Sequence, residues 1–153
     1  MREILFRGKR IDNGAWVEGS LIVTTAVKEK TYIVDSCWCE HGKVNEGGFA
    51  DFNWLNAFEV IPHTVGQFTG LTDKNGKKIF EGDVVKKSWT YYVIHQRRSQ
   101  IDAFIGQIVF DSGSYIMKEQ GEFIGSSHNG ERLEIIGNIH DNPELLKGEE
   151  ENE

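Results

Sequence analysis

Cys37, Cys39 and His41, three residues that bind soft or borderline metals, stand at alternate positions of a 153-residue chain. Structural zinc sites bring two thiolates to one ion from a tight turn, which takes two to four residues between the cysteines. With a single residue between them, the sulfurs of an extended chain point the same way but lie well spread. Cys37, Cys39 and His41 are therefore weak candidates for a metal centre, with His63, His128 or His140 as a fourth ligand. The simpler expectation is a pair of small residues in a loop, with no metal and no cofactor.

Nucleophilic and phosphate chemistry are as poorly provided for. Ser112, Ser114, Ser126 and Ser127 could serve as nucleophiles and the five histidines as bases, but no G-x-S-x-G elbow and no H-E-x-x-H pair occurs. His140 and Asp141 are adjacent, yet adjacency does not orient an imidazole against a carboxylate. A Ser-His-Asp site assembled from separate loops is a third-ranked reading, since such triads are set by geometry and not by order. Gly70 to Lys78 reads G-x₅-G-K-K, one residue too long for a phosphate loop and lacking the Ser or Thr after the lysine. That stretch is a hairpin turn.

The segment from Lys86 to Arg98 is different. Lys86, Lys87, Arg97 and Arg98 give it four positive charges and no acid, with Trp89, Tyr91 and Tyr92 between them. Cations follow a phosphate backbone while aromatic faces stack bases, so this mixture suits single-stranded nucleic acid. The plainer alternative is a β-ribbon with Trp89, Tyr91 and Val93 facing inward and the charges solubilising its edge. One basic ribbon supplies few phosphate contacts, and the plainer alternative is preferred.

The elements that must carry these residues are short strands. Ile4 and Phe6 alternate with Glu3, Leu5 and Arg7, as in a strand with one face on a core. Asp12-Asn13-Gly14 is a turn signal, Trp16–Val23 a second strand with a bulge or close backbone crossing at Gly19, and Lys30–Asp35 a third. Residues 37–58 are irregular and hold Trp38, Phe49, Phe52, Trp54 and Phe58, read as a wall of the core in preference to an exposed anchor. Thr64–Leu71 and Lys77–Phe80 form a hairpin closed by Asn75-Gly76, and Glu81-Gly82-Asp83 turns the chain into Val84-Val85. Asn75, Gly76, Gly82 and Asp83 are thus structural turn residues, in a pattern that suits a small, strongly bent barrel. Phe104–Phe110 and Ser114–Met117 are strands joined at Asp111-Ser112-Gly113, GSSHNG at 125–130 is a loop, and Leu133–Ile136 is the last strand. Asn142-Pro143 caps one turn of helix.

Seventeen glycines, two prolines and abundant Phe, Val and Ile agree with strands joined by turns. Net charge is −7, and four of those charges are the glutamates at 149–151 and 153, an apolar-free tail expected to stay disordered. No signal-peptide pattern or bilayer-length apolar run is present, and two cysteines cannot frame a disulfide scaffold, so a reduced, cytoplasmic protein is expected.

Three blocks carry a family resemblance. They are MREILFRG at residues 1–8, VIPHTVGQFTGLTDKNGKKIFEGDVV at 60–85 and LEIIGNIHDNPELL at 133–146. In content and order they resemble the signature of the YopX-like proteins of bacterial viruses and prophages, while residues 24–58 and 86–103 depart from it. The resemblance implies an all-β protein with an SH3-like barrel in its C-terminal part, resident in the cytoplasm of a bacterial host. It assigns no catalytic residue. The expected organisation is an N-terminal β segment over 1–61, an SH3-like barrel over 62–147 and the acidic tail over 148–153. The expected function is a non-catalytic accessory module that binds a protein, a second copy included, without touching a membrane. Single-stranded nucleic acid bound through 86–98 is the alternative.

Overall fold

The computed structural model describes residues 3–25, 29–35, 57–118, 122–123 and 133–146. They form eleven strands: β1 (Phe6–Lys9), β2 (Trp16–Thr24), β3 (Lys30–Val34), β4 (Ala57–Glu59), β5 (Gly66–Thr72), β6 (Lys78–Phe80), β7 (Asp83–Val93), β8 (Arg98–Asp111), β9 (Ser114–Met117), β10 (Glu122–Phe123) and β11 (Leu133–Asn138). The protein is nearly all β, in two antiparallel sheets ordered β4-β3-β2-β1-β5-β6 and β10-β9-β8-β7-β11. Its compact units are residues 1–67 and 68–153, so the division falls within β5.

In the first unit, β2 serves two partners in succession. Its Trp16–Gly19 half pairs with β1, and its Ser20–Thr24 half pairs with β3. The change of partner comes at Gly19, where a Cβ would lie 1.9 Å from the carbonyl oxygen of Val34. This is a close backbone crossing. At the far end, Ile11 N–H donates to Glu59 O (3.0 Å) and Ile61 N–H to Lys9 O (2.9 Å), so the chain after β4 meets the end of β1. Leu5, Ile33, Val34 and Val60 are buried here.

Two sequence expectations change in this unit. Ile4 is 70% exposed and Leu5 is buried, the reverse of the phase read from Ile4 and Phe6. With apolar residues at three consecutive positions, alternation could not choose a face. Within 37–58, residues 57–59 form strand β4, and Phe58 lies under the Arg10 guanidinium at 4.1 Å. Trp38, Phe49, Phe52 and Trp54 lie outside the described residues, as do 125–130 and the acidic tail.

The second unit centres on Ile79, Val85, Ile108, Met117 and Leu133, with Leu71, Tyr115 and Ile135 packed against them. Burying such side chains stabilises by about 1.5–3 kcal/mol each. Val84 and Val85 are both fully buried, so β7 has core on both faces where it starts. The β5–β6 hairpin turns through Asp73 to Gly76, with Gly76 at φ +80°. Its ladder slips between Phe68 and Thr72, where β5 carries the extra residues.

Between β6 and β7 the chain diverges at Gly82, held at φ +85°. Phe80 N–H donates to the buried Asp83 carboxylate at 2.8 Å, Gly82 N–H to Ile108 O at 2.9 Å and Ile139 N–H to Gly82 O at 3.0 Å. A Cβ on Gly82 would meet the Ile139 side chain at 3.7 Å and His140 Nε2 at 3.8 Å, ordinary contact distances, so the position has room but the wrong backbone conformation for other residues. Gly82→Val is therefore expected to cost roughly 1–3 kcal/mol, the range for a strained backbone. An unchanged urea midpoint would remove this account of the turn.

Candidate functional site

Beyond the core, β7 and β8 run on together as a two-stranded arm. Their ladder is unbroken from Val84↔Gln107 to Val93↔Arg98. A 3₁₀ turn at Ile94–Gln96 and Arg97 in the left-handed conformation (φ 48°) close its tip. At about 3.3 Å per residue the arm extends roughly 27 Å beyond Val85.

Register settles which side chains share a face, because directly opposed residues project the same way. One face carries Lys86 with Ile105, Ser88 with Ala103, Thr90 with Ile101 and Tyr92 with Ser99. The other carries Lys87 with Phe104, Trp89 with Asp102 and Val93 with Arg98, and Tyr91 joins the ladder opposite Gln100. The segment's aromatics are therefore divided. Trp89 packs on Phe104 with ring centroids 4.6 Å apart, while Tyr92 is 59% exposed on the opposite face.

The cations are divided as well. Lys86 and Lys87 stand at the base, where β11 pairs Glu134 against Lys86 and Leu133 against Lys87. Glu134 also accepts from Lys74 Nζ at 2.7 Å. Arg97 and Arg98 stand at the tip, roughly 20 Å along the ribbon, where Arg98 Nε donates to Gln96 Oε1 at 2.6 Å.

What the sequence reading missed is the exposed apolar surface of this arm. Ile94 is 76% exposed, Ile101 71%, Ile105 42% and Phe104 41%. Ile101, Ala103 and Ile105 already alternate in the sequence, and following that period back from Phe104 would have extended the strand to Ile101, though not to Arg98.

A second constellation is structural. Asp73 is buried, and its Oδ1 accepts from Asn75 N–H (2.8 Å) and Lys77 N–H (2.9 Å), while Oδ2 accepts from Ile135 N–H (3.2 Å). Burial alone would raise its pKa, but the N–H groups of Lys77, Ile135 and Asn75 together outweigh it and hold the carboxyl below its ordinary value. Asn75, Gly76, Gly82 and Asp83 thus lie at the two turns that aim β6 into β7.

In the first unit, Arg10, Ile11, Asp12, Ala57, Phe58 and Glu59 line a recess of about 290 Å³. Arg10 Nε donates to Asp12 Oδ1 at 2.9 Å, and this side-chain hydrogen bond lowers the Asp12 pKa. With Arg10 so engaged, and Glu59 accepting from Lys30 Nζ at 2.8 Å, the recess offers a phenyl ring and backbone more than a charged anchor. Among the described residues no group of three or more His, Cys, Asp or Glu is placed to hold a metal. Cys37, Cys39, His41, His128, Ser126 and Ser127 lie outside them. His63 sits in the 3₁₀ turn before β5, His140 follows β11, and Ser112 Oγ donates to Asp111 Oδ1 at 3.3 Å in the β8–β9 turn. No helix among the described residues is long and apolar enough to cross a membrane.

Fold and site together define a small two-sheet β protein whose turns are tied by buried aspartates and whose longest hairpin stands out as an apolar arm. The chain belongs to the YopX protein family, whose profile matches residues 5–147. It is similar in fold to the crystal structure of protein EF1440 from Enterococcus faecalis, with a TM-score of 0.56 at 22% identity over 95% of this chain and 99% of that one. Among curated proteins, none matches.

Proposed function

We propose that this protein is a non-catalytic binding module, an accessory protein of a phage or prophage acting in the bacterial cytoplasm, and that the β7–β8 arm is the element that engages a protein. The observation that carries this reading is the exposure of Tyr92, Ile94, Ile101, Phe104 and Ile105 on one projecting hairpin. Apolar side chains gathered on an arm cost solubility unless a partner covers them. The second unit is read as an SH3-like barrel, extending back to residue 62, whose strand extension serves as the contact element. A photo-crosslinker at Thr90 is expected to capture protein from infected cells, where one at Ala15 does not.

Single-stranded nucleic acid is the second reading, favoured by Trp89 and Arg98 on a common face. Against it, two pairs of cations roughly 20 Å apart cannot follow consecutive phosphates, and acids stand among them at Glu134 and Asp102. Labelled single strands titrated at two salt concentrations should bind weakly or not at all. Trp89→Ala should appear in stability instead, at about 2 kcal/mol, roughly half the cost of a fully buried aromatic. Sub-micromolar binding that weakens steeply with salt, and flattens in Arg97→Ala/Arg98→Ala, would overturn the choice.

A further inference from the structure

We infer that the protein self-associates through the outer edge of β8, two copies pairing antiparallel about a two-fold axis at Gln100. The inference rests on the reading of the arm as a protein-binding element and names the partner as a second copy of this chain.

The first observation is an open edge. β9 pairs with β8 only from Ile108 to Asp111, and β7 holds the opposite edge. Among the described residues, no strand pairs with the outer edge of residues 98–106. Gly82 N–H donates to Ile108 O, so that carbonyl points to the β7 side. The ladder has no register shift between 98 and 107, so alternation aims the N–H and C=O groups of Ser99, Ile101, Ala103 and Ile105 outward. Edges left open are ordinarily blunted by proline, lysine or a bulge. None of these occurs between Arg98 and Gln107.

The second observation is charge, and it selects both partner and register. Arg98 and Asp102 share a face, but across β7 they oppose Val93 and Trp89, so neither has an oppositely charged residue directly opposite it in the ribbon. They stand four residues apart on one strand, about 13 Å, too far to pair with each other. Lys87 is the diagonal neighbour of Asp102 on that face, one step further from the tip, and leaves the place beside Asp102 on the outer edge open. A two-fold at Gln100 sets Arg98 of each copy opposite Asp102 of the other, two ion pairs flanking one axis. Ser99 then opposes Ile101 twice, and those pairs exchange the outward backbone hydrogen bonds. An axis at Ile101 would set Arg98 against Phe104, and one at Ser99 would set Asp102 against Gln96, losing both ion pairs. The Gln100 register also fits the available edge, since each Arg97 ends opposite Ala103, short of the β9 pairing at Ile108.

The test uses the full chain with Cys37 and Cys39 replaced by serine. At the axis a residue opposes itself with Cα atoms about 4.5–5.5 Å apart, within disulfide reach. Gln100→Cys is therefore expected to form a covalent dimer under mild oxidation. Ala103→Cys, whose copies would lie about 20 Å apart, should not. In sedimentation equilibrium the unaltered chain should dimerise. Arg98→Asp or Asp102→Arg alone should weaken the dimer at least about tenfold, because like charges then face each other. The double reversal should restore it. A chain that stays monomeric, or a dimer indifferent to these reversals and without the Gln100→Cys crosslink, overturns the inference. If the monomer's Thr90 crosslinker still captures a different protein, self-association fails while the binding-module reading stands.

Discussion

Gly19→Ala is expected to destabilise the first unit by more than about 4 kcal/mol, beyond the usual range for a point substitution. The reason is a collision. The added carbon would sit 1.9 Å from the Val34 carbonyl oxygen and 2.6 Å from its carbon, and backbone cannot swing aside as a flexible side chain can. β2 and β3 would have to separate where β2 changes partners, opening the ladder from Ser20↔Val34 to Thr24↔Lys30. Gly76→Ala provides the contrast, because nothing lies within 4 Å of a Cβ there and only its φ of +80° opposes the change. That conformational cost is roughly 1–2 kcal/mol. Urea denaturation with hydrogen exchange at the Ile22 and Tyr32 amides checks both. Equal effects from the two variants would mean that β2 and β3 do not cross as described.

Asp73→Asn is expected to cost roughly 2–4 kcal/mol, because one carboxylate serves three backbone donors and an amide cannot. An asparagine oxygen could still accept from Asn75 and Lys77, but its NH₂ would then face the Ile135 N–H, donor against donor. The acid limb carries a further signature. The folded-state pKa is held below the ordinary aspartate value of 3.8, so the carboxylate's contribution is complete above that value and is lost as pH falls through the folded pKa. The variant lacks this titration. Its deficit should therefore be large at neutral pH and narrow below about pH 4, the ordinary carboxylate range. Urea midpoints at several pH values measure it, and a gap that stays constant into acid would show that folding does not lower the Asp73 pKa.

The local grammar of the chain was legible where one residue type has one physical use. Asn75-Gly76 read as a hairpin and Gly82 as a turn because positive φ is costly for most other residues. Gly19 read as a bulge or a crossing because a glycine between strand-forming residues allows a kink or leaves space for another backbone, and the structure shows the crossing. Where two readings satisfied the same residues, the sequence was silent. Ile4, Leu5 and Phe6 could face either way, and Arg98–Ala103, with a single β-branched residue, gave no sign that β8 begins at Arg98. Asp73 was visible as a turn residue, but its bond to Ile135 spans 62 positions and has no local signature. The apolar arm escaped for a related reason: Phe104 and Ile105 look like core residues until the register carries them past the end of the core.

The pairing of β7 also fixes an order of assembly. Its β8 edge is supplied by the next residues of the chain, and a hairpin of this kind closes in microseconds. Its other edge waits for Leu133–Asn138, as do the second oxygen of Asp73 and the Lys74 N–H that donates to Leu133 O. At ribosomal speeds of about 5–20 residues per second, the roughly 50 residues between Lys87 and Asn138 take several seconds to appear. Throughout that interval Val84 and Val85, fully buried in the finished protein, lie on a strand with one unpaired edge. The nascent chain is then most open to chaperone capture, and to pairing with a neighbouring chain on the same messenger.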